Sequence, residues 1–242
     1  MKKTALLLAL LLLLTACLTA CGKKETAETE TVATTEETTA LAGGWTLSDD
    51  MTENISDYEK EVFEKALEGF AGVGYRPIAL LGTQVVAGIN YAFLCEATTV
   101  TATPVTKLAV VIVYADLEGN ASIKNVKDFS LADYTQEDIS LTTEQLSGGW
   151  TANEAAPEKM WTGEIGETYD KALNGLVGKS YYPVELLGTQ VVAGRNYAFL
   201  CRSTLVTANP VTNMSIVTIY ADLEGNAQIK TIADIDIASF NE

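Results

Sequence analysis

The chain has 242 residues, with 16 basic and 32 acidic side chains and no histidine. The missing histidine removes Ser–His and Cys–His nucleophile pairs, imidazole acid–base work and most zinc sites. The net charge of −16 argues against nucleic acid or an anionic lipid surface as partner and reads as a solvated surface. Glycoside hydrolysis needs only two carboxylates, but among 32 acidic residues no pair stands out by spacing. No enzyme activity, cofactor or metal site is therefore assigned.

Met1-Lys2-Lys3 followed by the apolar run 4–14 reads as a secretory signal, too short for a membrane span. Leu18-Thr19-Ala20-Cys21 resembles a bacterial lipobox. Leu14-Thr15-Ala16-Cys17 reads the same way, and an ordinary signal with incidental cysteines is the plainer alternative. Cys21 is preferred because Gly22-Lys23-Lys24 turns polar at once. The resemblance implies a signal peptide over 1–20 and a lipid on Cys21. The chain would then sit on the outer face of the cytoplasmic membrane. Residues 21–40, rich in Thr and Glu, are expected to be a disordered tether reaching about 60 Å when extended.

Beyond the tether the chain repeats itself. Gly43-Gly44-Trp45, LLGTQVVAG, NYAFLC and YADLEGNA recur 105 or 106 positions later, the last at Tyr114–Ala121 and Tyr220–Ala227. The predicted organisation is domain 1 over 41–134, a polar linker over 135–145 and domain 2 over 146–242. Each begins with a helix. Tyr58, Val62, Ala66 and Phe70, flanked by Phe63 and Leu67, form an apolar stripe behind a Ser56 N-cap, with Gly69 and Gly72 as stops. Ile165, Tyr169, Ala172, Leu173 and Leu176 repeat the stripe. Strands over 78–84 and 90–98 flank a hairpin at Val85–Ile89. A strand over 107–115, a loop Asp116–Asn120 with Gly119 left-handed, and a strand over 121–128 follow. Trp45 and Trp150 belong to a first strand. Cys95, in phase with Tyr91 and Phe93, reads as a core thiol rather than a reactive one. The expected fold class is α+β: two tandem domains, each one helix packed on an antiparallel β-sheet.

This order, with Gln-x-Val-x-Gly at the first hairpin, resembles the cystatins, inhibitors of papain-like cysteine proteases. The motif is matched by Gln84, Val85, Val86, Ala87 and Gly88, and by Gln190, Val191, Val192, Ala193 and Gly194. Asn90-Tyr91 and Asn196-Tyr197 also look like the family's continuation. The family's Leu-x-Gly-Gly-like trunk is matched by Leu41, Ala42, Gly43 and Gly44, and by Leu146, Ser147, Gly148 and Gly149. The resemblance implies that trunk, hairpin and second hairpin form a wedge that occludes a protease cleft. Leu41 and Leu146 would fill apolar pockets, and Gly43 and Gly148 would let the trunk bend. The protease would be a host enzyme or the bacterium's own. The second hairpin departs from the family: Asp-Leu-Glu-Gly-Asn stands where many cystatins carry Pro-Trp. Leu117 and Leu223 substitute in part, beside Asp116, Glu118, Asp222 and Glu224. The alternative is a non-inhibitory surface binding or adhesion lipoprotein, since fold does not determine function.

Overall fold

Apolar residues come in unbroken runs in this chain, and that decides how its sheets pack. The computed structural model describes residues 43–47, 54–135, 149–152, 161 and 163–241, all within one compact unit, Thr39–Glu242. The first repeat runs β1 (Trp45–Thr46), α1 (Asp57–Ala66), β2 (Val73–Val86), β3 (Gly88–Thr99), β4 (Thr106–Ala115), β5 (Ala121–Asp128) and α2 (Ala132–Thr135). The second runs β6 (Thr151–Ala152), α3 (Glu164–Leu173), β7 (Lys179–Val192), β8 (Gly194–Leu205), β9 (Thr212–Ala221), β10 (Ala227–Asp234) and a 3-10 turn, Ile237–Phe240. Each set of five strands pairs antiparallel in chain order.

Local chemistry explains the helix start. Ser56 Oγ accepts from the Glu59 N–H at 3.3 Å, and Glu59 Oε2 accepts from the Ser56 N–H at 2.7 Å, a complete capping box. The stripe is narrower than its spacing implied. Val62 and Phe63 are buried, whereas Tyr58 and Phe70 are exposed. α3 has no side-chain cap, and Tyr169 anchors it, donating its hydroxyl to the Tyr181 carbonyl at 3.1 Å.

The expected α+β class, one helix packed on a sheet in each of two tandem domains, is overturned. Among the described residues strand far outweighs helix, in two antiparallel sheets with a few short helices. The reason lies in β3. Tyr91, Phe93 and Cys95 point to one face, and Ala92 and Leu94 to the other, and all five are buried. Alternating polar residues would leave one face wet; this run buries both. A helix of ten residues is about 15 Å long and covers only part of one face. The other face meets the other repeat. Ile78, Leu81, Leu94, Val110 and Ile112 share one cluster with Leu187, Leu200, Met214 and Ile216. The fold is thus a β-sandwich with a common core.

Each repeat also lends its end to the other. Ile237 packs at Gly82, and Leu131 at Gly188. Asn125 Nδ2 donates to the Phe240 carbonyl at 2.7 Å, and Lys127 Nζ to that of Ser239 at 2.8 Å. Phe129 stacks on both Tyr134 and Phe240, with centroids 4.9 and 6.1 Å away.

One carboxyl sits badly in this core. Glu185 occupies the place of Ala79 in the first repeat and is buried. Burial pushes it from 4.5 up to about 7; the nearby Arg76 pulls it back, and Glu96 pushes it further up. Arg76 itself is held by Glu96, with contacts of 2.7 and 3.0 Å. Between pH 4.5 and 7 the unfolded chain has lost this proton while the folded chain keeps it, so stability falls as pH rises through that window. Glu185→Gln is expected to raise stability by about 1–2 kcal/mol at pH 8, after discounting for solvent screening, and to change little at pH 4. Urea unfolding at the two pH values measures this; an equal effect at both would refute it.

Candidate functional site

The QVVAG segments form the tips of the β2–β3 and β7–β8 hairpins. Val86 pairs with Gly88, Val85 with Ile89 and Gln84 with Asn90, leaving Ala87 alone at the turn. The second tip repeats this with Val192 and Gly194 about Ala193. Gly88 has φ +129°, and a Cβ there would collide with the Ala115 carbonyl and the Tyr114 ring. Gly194, at φ +121°, meets Ala221 and Tyr220 in the same way. Glycine is therefore required by the close approach of β4 and β9 as well as by the turn.

Two side-chain systems brace each tip. The Tyr114 hydroxyl donates to the Ala87 carbonyl, and that of Tyr220 to Ala193. Asn90 Nδ2 donates to Gln84 Oε1 at 2.6 Å, and Gln84 Nε2 donates to the Gly43 carbonyl at 2.7 Å. The Gly43 N–H returns a bond to Val85 at 3.2 Å, and Trp45 pairs with Gln84 in β1. The half-buried motif glutamine is thus a clamp between trunk and hairpin. In the second repeat Asn196 Nδ2 donates to Gln190 Oε1 at 2.6 Å, and both residues are buried. β6 pairs Thr151 with Thr189, one residue further along than β1, and Trp150 lies just before it.

Ile89 pairs with Ala115, which sets the Asp116–Asn120 loop beside the tip. Asp116 organises that loop. Its carboxylate accepts from Asn120 Nδ2, the Asn120 N–H and the Glu118 N–H at 2.8–3.0 Å, which hold it below the usual carboxylate range. Asp222 does the same. Gly119 and Gly225 are left-handed there. Val85 and Val86 are 47% and 42% exposed, Val191 is 64%, and Leu117 and Leu223 are both 84%. Ala87 and Ala193 are exposed, and Val192 is half-buried. Leu41, Ala42, Leu146, Ser147, Gly148 and Cys21 lie outside the described residues.

The two tips point apart. β5 runs away from its own tip, from Ala121 opposite Ala115 to Asp128, level with Ala109, Cys95 and Pro77. Leu131, beyond it, packs at Gly188, close to the other tip, and Ile237 packs reciprocally at Gly82. The tail of each sheet therefore lies over the tip half of the other. With about 3.3 Å per strand residue, each tip stands roughly 30 Å beyond the level of Pro77 or Pro183.

Cys95 and Cys201 are fully buried, and burial pushes both thiols up, Cys201 to about 12. Neither is a thiolate at neutral pH. Among the described residues no group of three or more acidic or cysteine side chains is placed to hold a metal. The sequence reading did not assign Asn90, Asn196, Tyr114 or Tyr220 to the site. Their signals in the sequence are the Asn-Tyr continuation, for Asn90 and Asn196, and membership of the identical NYAFLC and YADLEGNA phrases. No protein-family model matches the chain, and no curated protein matches it in sequence.

Gly88→Ala is expected to cost about 3 kcal/mol, strain and overlap together. Gly119→Ala, with φ +80° but open space around it, is expected to cost about 1 kcal/mol. Equal losses in urea unfolding would contradict the close approach of Tyr114 and Ala115. Gln84→Ala strands Asn90 and the Gly43 carbonyl. It is expected to cost about 1–2 kcal/mol and to speed hydrogen exchange at the Gly43 N–H, with the Gly119 N–H unchanged.

Proposed function

We propose that this chain is a two-headed inhibitor of papain-like cysteine proteases, tethered through Cys21 to the outer face of a bacterial membrane. The supporting observation is the convergence, at one end of each sheet, of braced hairpin and acidic second loop, joined in the first repeat by the trunk. Apolar side chains project from them. Such a tip enters a cleft as a preformed edge. Backbone already held by Tyr114, Gln84 and Asn90 loses little conformational entropy on docking. Inhibition is occlusion, with Val85, Val86 and Leu117 in apolar contact and no scissile bond presented. The tips face opposite ways, so two enzymes bind one chain without meeting. The target is a host protease or one of the bacterium's own.

One observation favours a second reading, a non-inhibitory binding module. Leu117 and Leu223 are flanked by acidic residues, and no aromatic anchor stands at either second loop.

Papain titrated with residues 39–242 is expected to lose activity at two enzymes per chain. Val85→Asp and Val191→Asp, at exposed positions, are each expected to halve that stoichiometry without changing thermal unfolding. No inhibition of papain or of a panel of related proteases at micromolar concentration would discard the inhibitor. A non-protease ligand still bound by the double variant would establish the binding module.

A further inference from the structure

The sandwich leaves part of one inner face uncovered. The second repeat's arm covers the first sheet as far as Gly82, where Ile237 packs, and Asn125, which bonds to Phe240. Nearer the tip lies a cavity of about 430 Å³, within the range of small-ligand sites. Val86, Ala87, Asn90, Tyr114, Ser122 and Lys124 line it. Its walls are mostly apolar, and three polar features are set into them.

The first is Asn90. It is fully buried, its Nδ2 is committed to Gln84, and among the described residues its Oδ1 meets no hydrogen-bond donor. Reversing the amide does not help, because Gln84 Nε2 is already spent on Gly43 and would leave two oxygens face to face. The second is Lys124. Asn125 pairs with Ile112 and Ile123 with Val113, so Lys124 is the extra residue of a β-bulge. A bulge re-aims its side chain, here to the cavity it lines. Lys124 has no ion-pair partner among the described residues, on a chain of net charge −16. The third is the Ser122 hydroxyl.

An unmet buried acceptor calls for an N–H. An unpaired ammonium at an apolar cavity calls for an anion. The Tyr114 ring and Val86 call for an aliphatic body between them. We infer that this cavity is a binding site for the carboxyl-terminal end of a peptide. The terminal carboxylate lies on Lys124, the apolar last side chain on Tyr114 and Val86, and a backbone N–H is offered to Asn90 Oδ1. The site shares Val86 and Ala87 with the tip proposed to inhibit, but its occupancy is read without any protease present.

The test uses isotopically labelled residues 39–242 and N-acetyl-Ala-Leu with a free carboxylate, compared with the same dipeptide as its amide. The free acid is expected to give saturable backbone shifts at Val86, Ala87 and Ser122. The amide is expected to bind at least tenfold more weakly. Lys124→Met is expected to abolish that preference while thermal unfolding stays unchanged. No saturable shift, equal binding of acid and amide, or shifts confined to other parts of the chain would each overturn the proposal. Should the acid bind and papain go uninhibited, this site stands and the inhibitor reading falls.

Discussion

The structure depends on a sheet with two apolar faces. In each repeat the middle of the central strands is buried on both faces, mostly by hydrophobic residues, so both faces must leave water. Each fully buried Leu, Ile or Phe contributes about 1.5–3 kcal/mol. A single ten-residue helix closes only part of one face. The duplication supplies the rest: each repeat covers the inner face of the other, with Leu81, Leu94 and Ile112 on one side and Leu187, Leu200 and Ile216 on the other. The crossed arms at Leu131 and Ile237 finish what the sheets leave open. A repeat cut free of its partner exposes this whole layer, an apolar patch far larger than soluble monomers carry.

The same constraint frees the tips. Because the inner faces are buried by packing at the middle of the strands, Val85, Val86 and Ala87 at the hairpin end stay out of the core. They are held by polar clamps instead. Gln84, Asn90 and Tyr114 fix the backbone of Val85–Gly88 while leaving its valines in water. Rigid backbone with exposed apolar side chains is poor design for stability and good design for contact with a partner. That combination supports the proposed inhibitor.

Much of the secondary structure was legible in the chain. The N-cap at Ser56, the left-handed Gly119 and the strand ends at Ala115 and Asp128 follow from local signals, and the structure has them there. The architecture was not. NYAFLC reads equally well as one strand on a helix or as a strand between two layers, and a duplicated segment is as compatible with two separate cores as with a shared one. The apolar run without alternation was the available clue, and it points to burial on both faces. Within the site the motif residues were visible, but their division of labour was not. Gln84, half-buried in the motif, also ties the trunk to the hairpin. Asn90 and Tyr114 looked like strand residues and hold the tip. Hydrogen bonds between residues 27 or 41 positions apart leave no periodic trace in a sequence.

The differences between the repeats show which constraints are shared and which are private. The tip pentapeptide, its tyrosine brace and its asparagine clamp are the same in both. The inner face is not. Ala79 faces Glu185 as its counterpart, Arg76 faces Tyr182, and Glu96 faces Arg202. Glu185 feels Arg76 across the sandwich, so the two halves meet as unlike partners. Two copies of the first half would bring no Glu185 to Arg76, and two copies of the second would bury two such glutamates with no Arg76 to relieve them. A buried charge of this kind costs stability and discriminates among pairings. In a molecule built from two near-identical sheets, each able to mate with a copy of itself on another chain, that discrimination favours closure of the sandwich within one chain and keeps its two tips on a single body.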